Sequence, residues 1–103
     1  MDRQVLDRCK ETLRSHYGDK FTGLVLYGSG ARDEVDADSD IDLLVLLSMP
    51  FDYFRELRTI TDLVYPIQLD SDRLLSVKPA ATDEYEAGGL GLYRNAAREG
   101  VSL

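Results

Sequence analysis

The segment "IDLLVLL", Ile41 to Leu47, is apolar on both faces of a strand apart from one acid, and it does most to limit what this chain can fold into. A second β-rich run, "KFTGLVLYG", precedes it and ends in a glycine turn. Strands that hide side chains on both sides need cover on both sides, so a central sheet flanked by helices is expected.

The rest of the chain supplies that cover. From Asp2 to about Tyr17, Val5, Leu6, Cys9, Leu13 and Tyr17 recur at three- and four-residue steps among charged residues, which predicts an amphipathic helix ended by Gly18. Pro50 is expected to open a second helix over "FDYFRELRTITDLV", with Phe51, Phe54, Leu57 and either Ile60 or the pair Leu63 and Val64 along one stripe. "YPIQLD", Tyr65 to Asp70, reads as a third strand, with Pro66 near its start or on an edge. Thr82 is placed as the cap of a short acidic helix begun by Asp83 and Glu84, which Gly88, Gly89 and Gly91 break. "GGLGLY" reads as a linker, "LYRNAAREG" as a further helical piece ended by Gly100, and "VSL" as a last edge strand. The order α-β-β-α-β-α, without internal repeat or low-complexity linker, predicts an α/β (α+β) fold: a small mixed sheet flanked by helices, in one domain spanning residues 1–103.

Composition removes several function classes. With 12 basic against 19 acidic residues the formal net charge is -7, so phosphate backbones are repelled and general nucleic-acid binding is not expected. The one cysteine, Cys9, excludes an internal disulfide framework and a zinc quartet, and reads as an apolar position on the first helix in a reducing compartment. No apolar run approaches the ~18 residues of a membrane span, and "MDRQVLDRCK" lacks the order of a signal peptide, so a cytoplasmic location is expected. His16, the only histidine, stands near a helix end where a cation is favoured by the dipole.

Chemistry concentrates in "LYGSGARDEVDADSDIDLLV", Leu26 to Val45. Asp40 and Asp42 are two apart at a strand start, so strand alternation sends both carboxylates to one face. Like charges held that close are unfavourable unless a cation lies between them. Oxygen-only ligands suit Mg²⁺, which prefers a few carboxylates and substrate phosphates to a full protein cage. Upstream, Gly28-Ser29-Gly30 leaves backbone N–H groups and a small hydroxyl facing an incoming phosphate, and Arg32 is within reach of a further phosphate oxygen or a carboxylate. Taken alone, the acids would read as a solvated loop; together the cradle and the pair supply the two halves of metal-assisted nucleotidyl transfer.

Gly28-Ser29, ten intervening residues and Asp40-Ile41-Asp42 resemble the signature of the polymerase-beta-like nucleotidyltransferase superfamily, specifically its minimal nucleotidyltransferase branch. "LVLY", "SDIDLLV" and the closing "YRNAAREGVSL" extend the likeness over nearly the whole chain. The resemblance implies Asp40 and Asp42 as Mg²⁺ ligands, Gly28 and Ser29 as contacts to the nucleoside triphosphate, and a third carboxylate on a neighbouring strand as activator of the attacking hydroxyl. With the third strand placed at "YPIQLD", that position falls at Gln68, an amide. Asp70, two residues on and on the same face of such a strand, is the substitute third metal ligand and base or else a strand-end turn residue; Asp72 is a weaker candidate beyond it. Asp33 is a second departure, since the family often has glycine after "AR".

The implied activity is transfer of a nucleoside monophosphate, AMP from ATP, to a hydroxyl. Minimal members are commonly antitoxins of HEPN-domain ribonuclease toxins, and some place AMP on a toxin tyrosine, so a HEPN toxin partner is expected by resemblance. Leftover apolar surface suggests a homodimer or a hetero-oligomer. The rival reading is a catalytically impaired nucleotidyltransferase fold that neutralises a partner by complex formation. Gln68 favours that rival, and the intact Asp40 and Asp42 pair favours the enzyme.

Overall fold

A computed structural model describes residues 3–27 and 40–103. Its elements run α1 (Arg3–Tyr17), a 3₁₀ turn (Gly18–Lys20), β1 (Phe21–Tyr27), β2 (Ile41–Leu47), α2 (Tyr53–Leu69), β3 (Leu75–Ala81), α3 (Thr82–Ala87), α4 (Gly91–Glu99) and β4 (Val101–Ser102). The sheet order is β3-β2-β1-β4. β1 pairs antiparallel with β2 and β4, whereas β2 and β3 are parallel, joined by the α2 crossover. This is the mixed sheet with helical cover that the apolar strands require.

Alternation along β2 divides the interior. Leu43, Val45 and Leu47 face a core completed by Leu6, Cys9 and Leu13 of α1 and Ile60, Val64 and Ile67 of α2. Leu44 and Leu46 face the other way, against Val25, Ala80 and the α4 residues Tyr93 and Ala96. Each buried aliphatic side chain contributes roughly 2 kcal/mol of transfer free energy, and β2 buries six, Ile41 and Leu43 to Leu47, which makes it the central strand energetically as well as in space. Cys9 is fully buried on the α1 stripe, and that burial pushes its thiol up to about 11, so it stays protonated and inert. Gly18 ends α1 at φ +57°, a conformation favouring glycine. Tyr17 then donates its hydroxyl to Glu56 at 2.9 Å, tying α1 to α2.

The expected third strand and the start of the second helix need correction. Tyr65 to Asp70 is not a strand: α2 continues through Pro66 to Leu69, because Ile60, Val64 and Ile67 keep helical spacing and bury together, outweighing the hydrogen bond that proline removes. The third strand is Leu75–Ala81, at the sheet edge, where Pro79 is tolerated because the strand has a neighbour on one side only. The start of α2 lies later than Pro50, with Asp52 as the cap accepting from Arg55 N–H at 3.0 Å, and Phe54 faces solvent rather than the core.

Thr82 is likewise not a cap. It is the first residue of α3, and its hydroxyl lies 2.6 Å from that of Thr22 on β1. The two-residue strand expected in "VSL" does form, on β1. Gly100 makes that turn possible: a Cβ there would lie 2.9 Å from both the Leu26 carbonyl oxygen and a Val25 methyl.

Candidate active site

Apolar cover on the α4 side of the sheet stops at Leu44, one alternation step short of Asp42. Asp42 is half-buried in the second position of β2, and Asp40 stands exposed just before the strand. Asp42 is in register with Tyr27 of β1 on one side and Ser76 of β3 on the other; Lys78 follows two residues along β3, in register with Leu44. Paired residues of adjacent strands share a face, so Tyr27, Asp42, Ser76 and Lys78 form one polar end of the sheet.

The electrostatics fit a cation. Burial raises the Asp42 carboxyl above its ordinary value, the Asp40 charge raises it further, and the Lys78 ammonium partly offsets both. The Tyr27 hydroxyl is also raised, first by burial and then by the charge of Asp42. Among the described residues no group of three or more histidines, cysteines or acids forms a complete metal cage. Two converging carboxylates, one of them desolvated and repelled by the other, nevertheless match the donor set of Mg²⁺ shared with phosphate oxygens.

Gly28, Ser29 and Arg32 lie outside the described residues, as do Asp33, Asp36 and Asp38. The described chain enters that segment at Tyr27, in register with Asp42, and resumes at Asp40. The described residues that bound the segment, Tyr27 and Asp40, thus stand at the carboxylate pair.

Asp70 is elsewhere than a strand beside that pair. It caps the C-terminus of α2, with its carboxylate 2.8 Å from the Arg8 guanidinium of α1, in the helical layer. Gln68 is structural: Nε2 donates to the Arg73 carbonyl at 2.8 Å, and Oε1 accepts from Leu75 N–H at 2.6 Å, which sets the entry into β3. Asp72 is exposed in the turn between them. The residues in the place first given to Gln68 and Asp70 are Ser76 and Lys78, and β3 carries no carboxylate. Their signal was the alternation Leu75, Val77, Pro79, Ala81, which the proline obscured. A cavity of about 360 Å³ lined by His16, Tyr17, Lys20, Phe51 and Arg55 opens at the Leu47 end of β2, away from Asp42.

A short mixed sheet with a D-x-D pair at a strand start, preceded in sequence by a glycine-serine turn, is the arrangement expected of a nucleotidyltransferase. The chain belongs to the nucleotidyltransferase domain family, whose profile matches residues 6–87, and the minimal branch fits it. A relative from Methanocaldococcus jannaschii, provisionally named a protein adenylyltransferase, is 34% identical over 70 residues, covering 68% of this chain and 70% of the relative. Among solved structures, the fold is similar to a spectinomycin adenyltransferase from Enterococcus faecialis crystallised with ATP and spectinomycin, with a TM-score of 0.64, 22% identity and 79% of this chain covered. The chain spans 34% of that enzyme's length. It is also similar to a toxin-antitoxin structure with AMP-PNP, with a TM-score of 0.57 and 20% identity over 93% of this chain and 69% of that one. The match from residue 6 to residue 87 includes β1, the D-x-D strand and β3.

Proposed function

We propose that this nucleotidyltransferase domain moves AMP from ATP to a protein hydroxyl, and that the acceptor is a tyrosine of a HEPN-domain toxin to which the chain acts as cytoplasmic antitoxin, as a homodimer or within a hetero-oligomer. The carrying observation is the Asp40 and Asp42 pair at the polar end of the sheet, with Asp42 held partly desolvated. The protein-directed name of the relative, the nucleotides in the two similar structures and the toxin-antitoxin setting of one of them all support the reading.

In this mechanism the acceptor oxygen bonds to the α-phosphorus of ATP, the bond from that phosphorus to the bridging oxygen breaks, pyrophosphate leaves and the hydroxyl proton passes to water. Asp40 and Asp42 would hold Mg²⁺, which when bound supplies charge stabilisation to the reacting phosphate. Gly28, Ser29 and Arg32 are assigned to the phosphates. Asp70 is not given a part, since its carboxylate is engaged with Arg8.

Ser76 favours a second reading, a nucleotide-dependent binding module without transfer, because β3 offers no carboxylate to take the acceptor proton. One experiment separates the two. Incubation with α-labelled ATP, Mg²⁺ and the toxin encoded beside this chain is expected to label the toxin, and Asp42→Asn to reduce labelling at least ~100-fold. A stable complex that never acquires label would overturn transfer and leave the binding module.

A further inference from the structure

The polar end of the sheet contains one element that the carboxylate pair does not explain. Lys78 is the one basic residue on the four described strands, in a chain whose net charge is -7. Its register partner, Leu44, is buried beneath α4, yet Lys78 itself is exposed on the edge strand, because the cover that buries Ala80 two residues further along β3 does not reach it. Among the described residues no ion pair holds Lys78, and its ammonium lies near enough to Asp42 to offset part of the rise in that carboxyl. Ser76, in register with Asp42 and two residues before Lys78 on the same face, is a small neutral side chain.

We infer that Lys78 is a polyphosphate-binding residue of the nucleotide site, holding phosphate oxygens of ATP beside the Asp40 and Asp42 pair. The inference rests on the nucleotidyltransferase reading and adds to it a binding residue that belongs to this chain's own third strand. The charge balance supplies the reason. ATP carries about four negative charges near neutral pH, and the two aspartates bring two more, so one divalent ion leaves a large surplus of negative charge. A cation on a neighbouring strand reduces that surplus. Two residues of strand separate Ser76 from Lys78, ~7 Å, so the ammonium stands one alternation step along the sheet from the position in register with Asp42.

A plain alternative for an exposed lysine on an edge strand is solubility, and binding measurements distinguish the two. Calorimetric titration of the full chain with ATP and with AMP, each in excess Mg²⁺, is expected to show that Lys78→Ala weakens ATP about tenfold and AMP less than about twofold, while Lys78→Arg keeps most of the ATP affinity. Unchanged melting temperatures would confirm that each variant is folded. Equal ATP affinity in wild type and Lys78→Ala, or an equal loss for ATP and AMP, would overturn the role.

Asp42→Asn serves as the internal reference. If it weakens Mg²⁺-dependent ATP binding while Lys78→Ala does not, the lysine inference fails alone. If the wild-type chain binds no ATP, the nucleotide-site reading and the lysine inference fail together.

Discussion

Gln68 shows how far a single amide can mislead when its element is misplaced. On a strand beside Asp42 it would have stood in for a catalytic carboxylate; at the end of α2 it binds two backbone groups that lead into β3. Gln68→Glu should therefore not improve transfer. It sets a carboxylate oxygen against the Arg73 carbonyl in place of an N–H donor, and should lower stability by about 1–3 kcal/mol in urea titrations at neutral pH. Stability equal to wild type would show that the amide does not hold this turn. Asp40 and Asp42 were legible from sequence because their two-residue spacing and the apolar run after them fix a face on their own. Ser76 and Lys78 were not, since their importance comes from register with another strand, and register between distant segments leaves no local mark.

At the level of elements, two prolines stand inside regular structure where proline is disfavoured. Pro66 is expected near the start or on the edge of a strand and lies inside a helix, whereas Pro79 stands in a segment to which the sequence reading assigns no strand and lies inside β3. In both cases the burial pattern outweighed the local preference: Ile60, Val64 and Ile67 hold the helix, and Leu75 and Val77 hold the strand. Pro66 therefore carries an unrelieved local penalty, and its side chain is exposed. Pro66→Ala should restore the missing N–H and raise stability by about 1–3 kcal/mol, read from chemical denaturation. A loss of stability would mean that the helix depends on the ring. The strands β1 and β2 and the helices α1 and α4 were recoverable because no proline interrupts their periodicity.

For the whole molecule, the fold class followed from two strands apolar on both faces, since few architectures cover such strands twice. The net charge of -7 belongs to this scale as well. Random-sequence duplex DNA at ~0.15 M salt should show no mobility shift with micromolar protein, and a shift would reveal a concentrated basic surface that the overall charge conceals. Pro79 and β4 have a last consequence at the margins of the sheet. One outer edge is β3, which contains a residue without an N–H, and beyond β1 the opposite margin is a ladder of only two residue pairs. Neither margin offers a long, regular row of donors and acceptors for an incoming chain to copy. The sheet is thereby shielded from strand-by-strand growth into aggregates, and partners have to be recognised through side chains on its helices and its polar end.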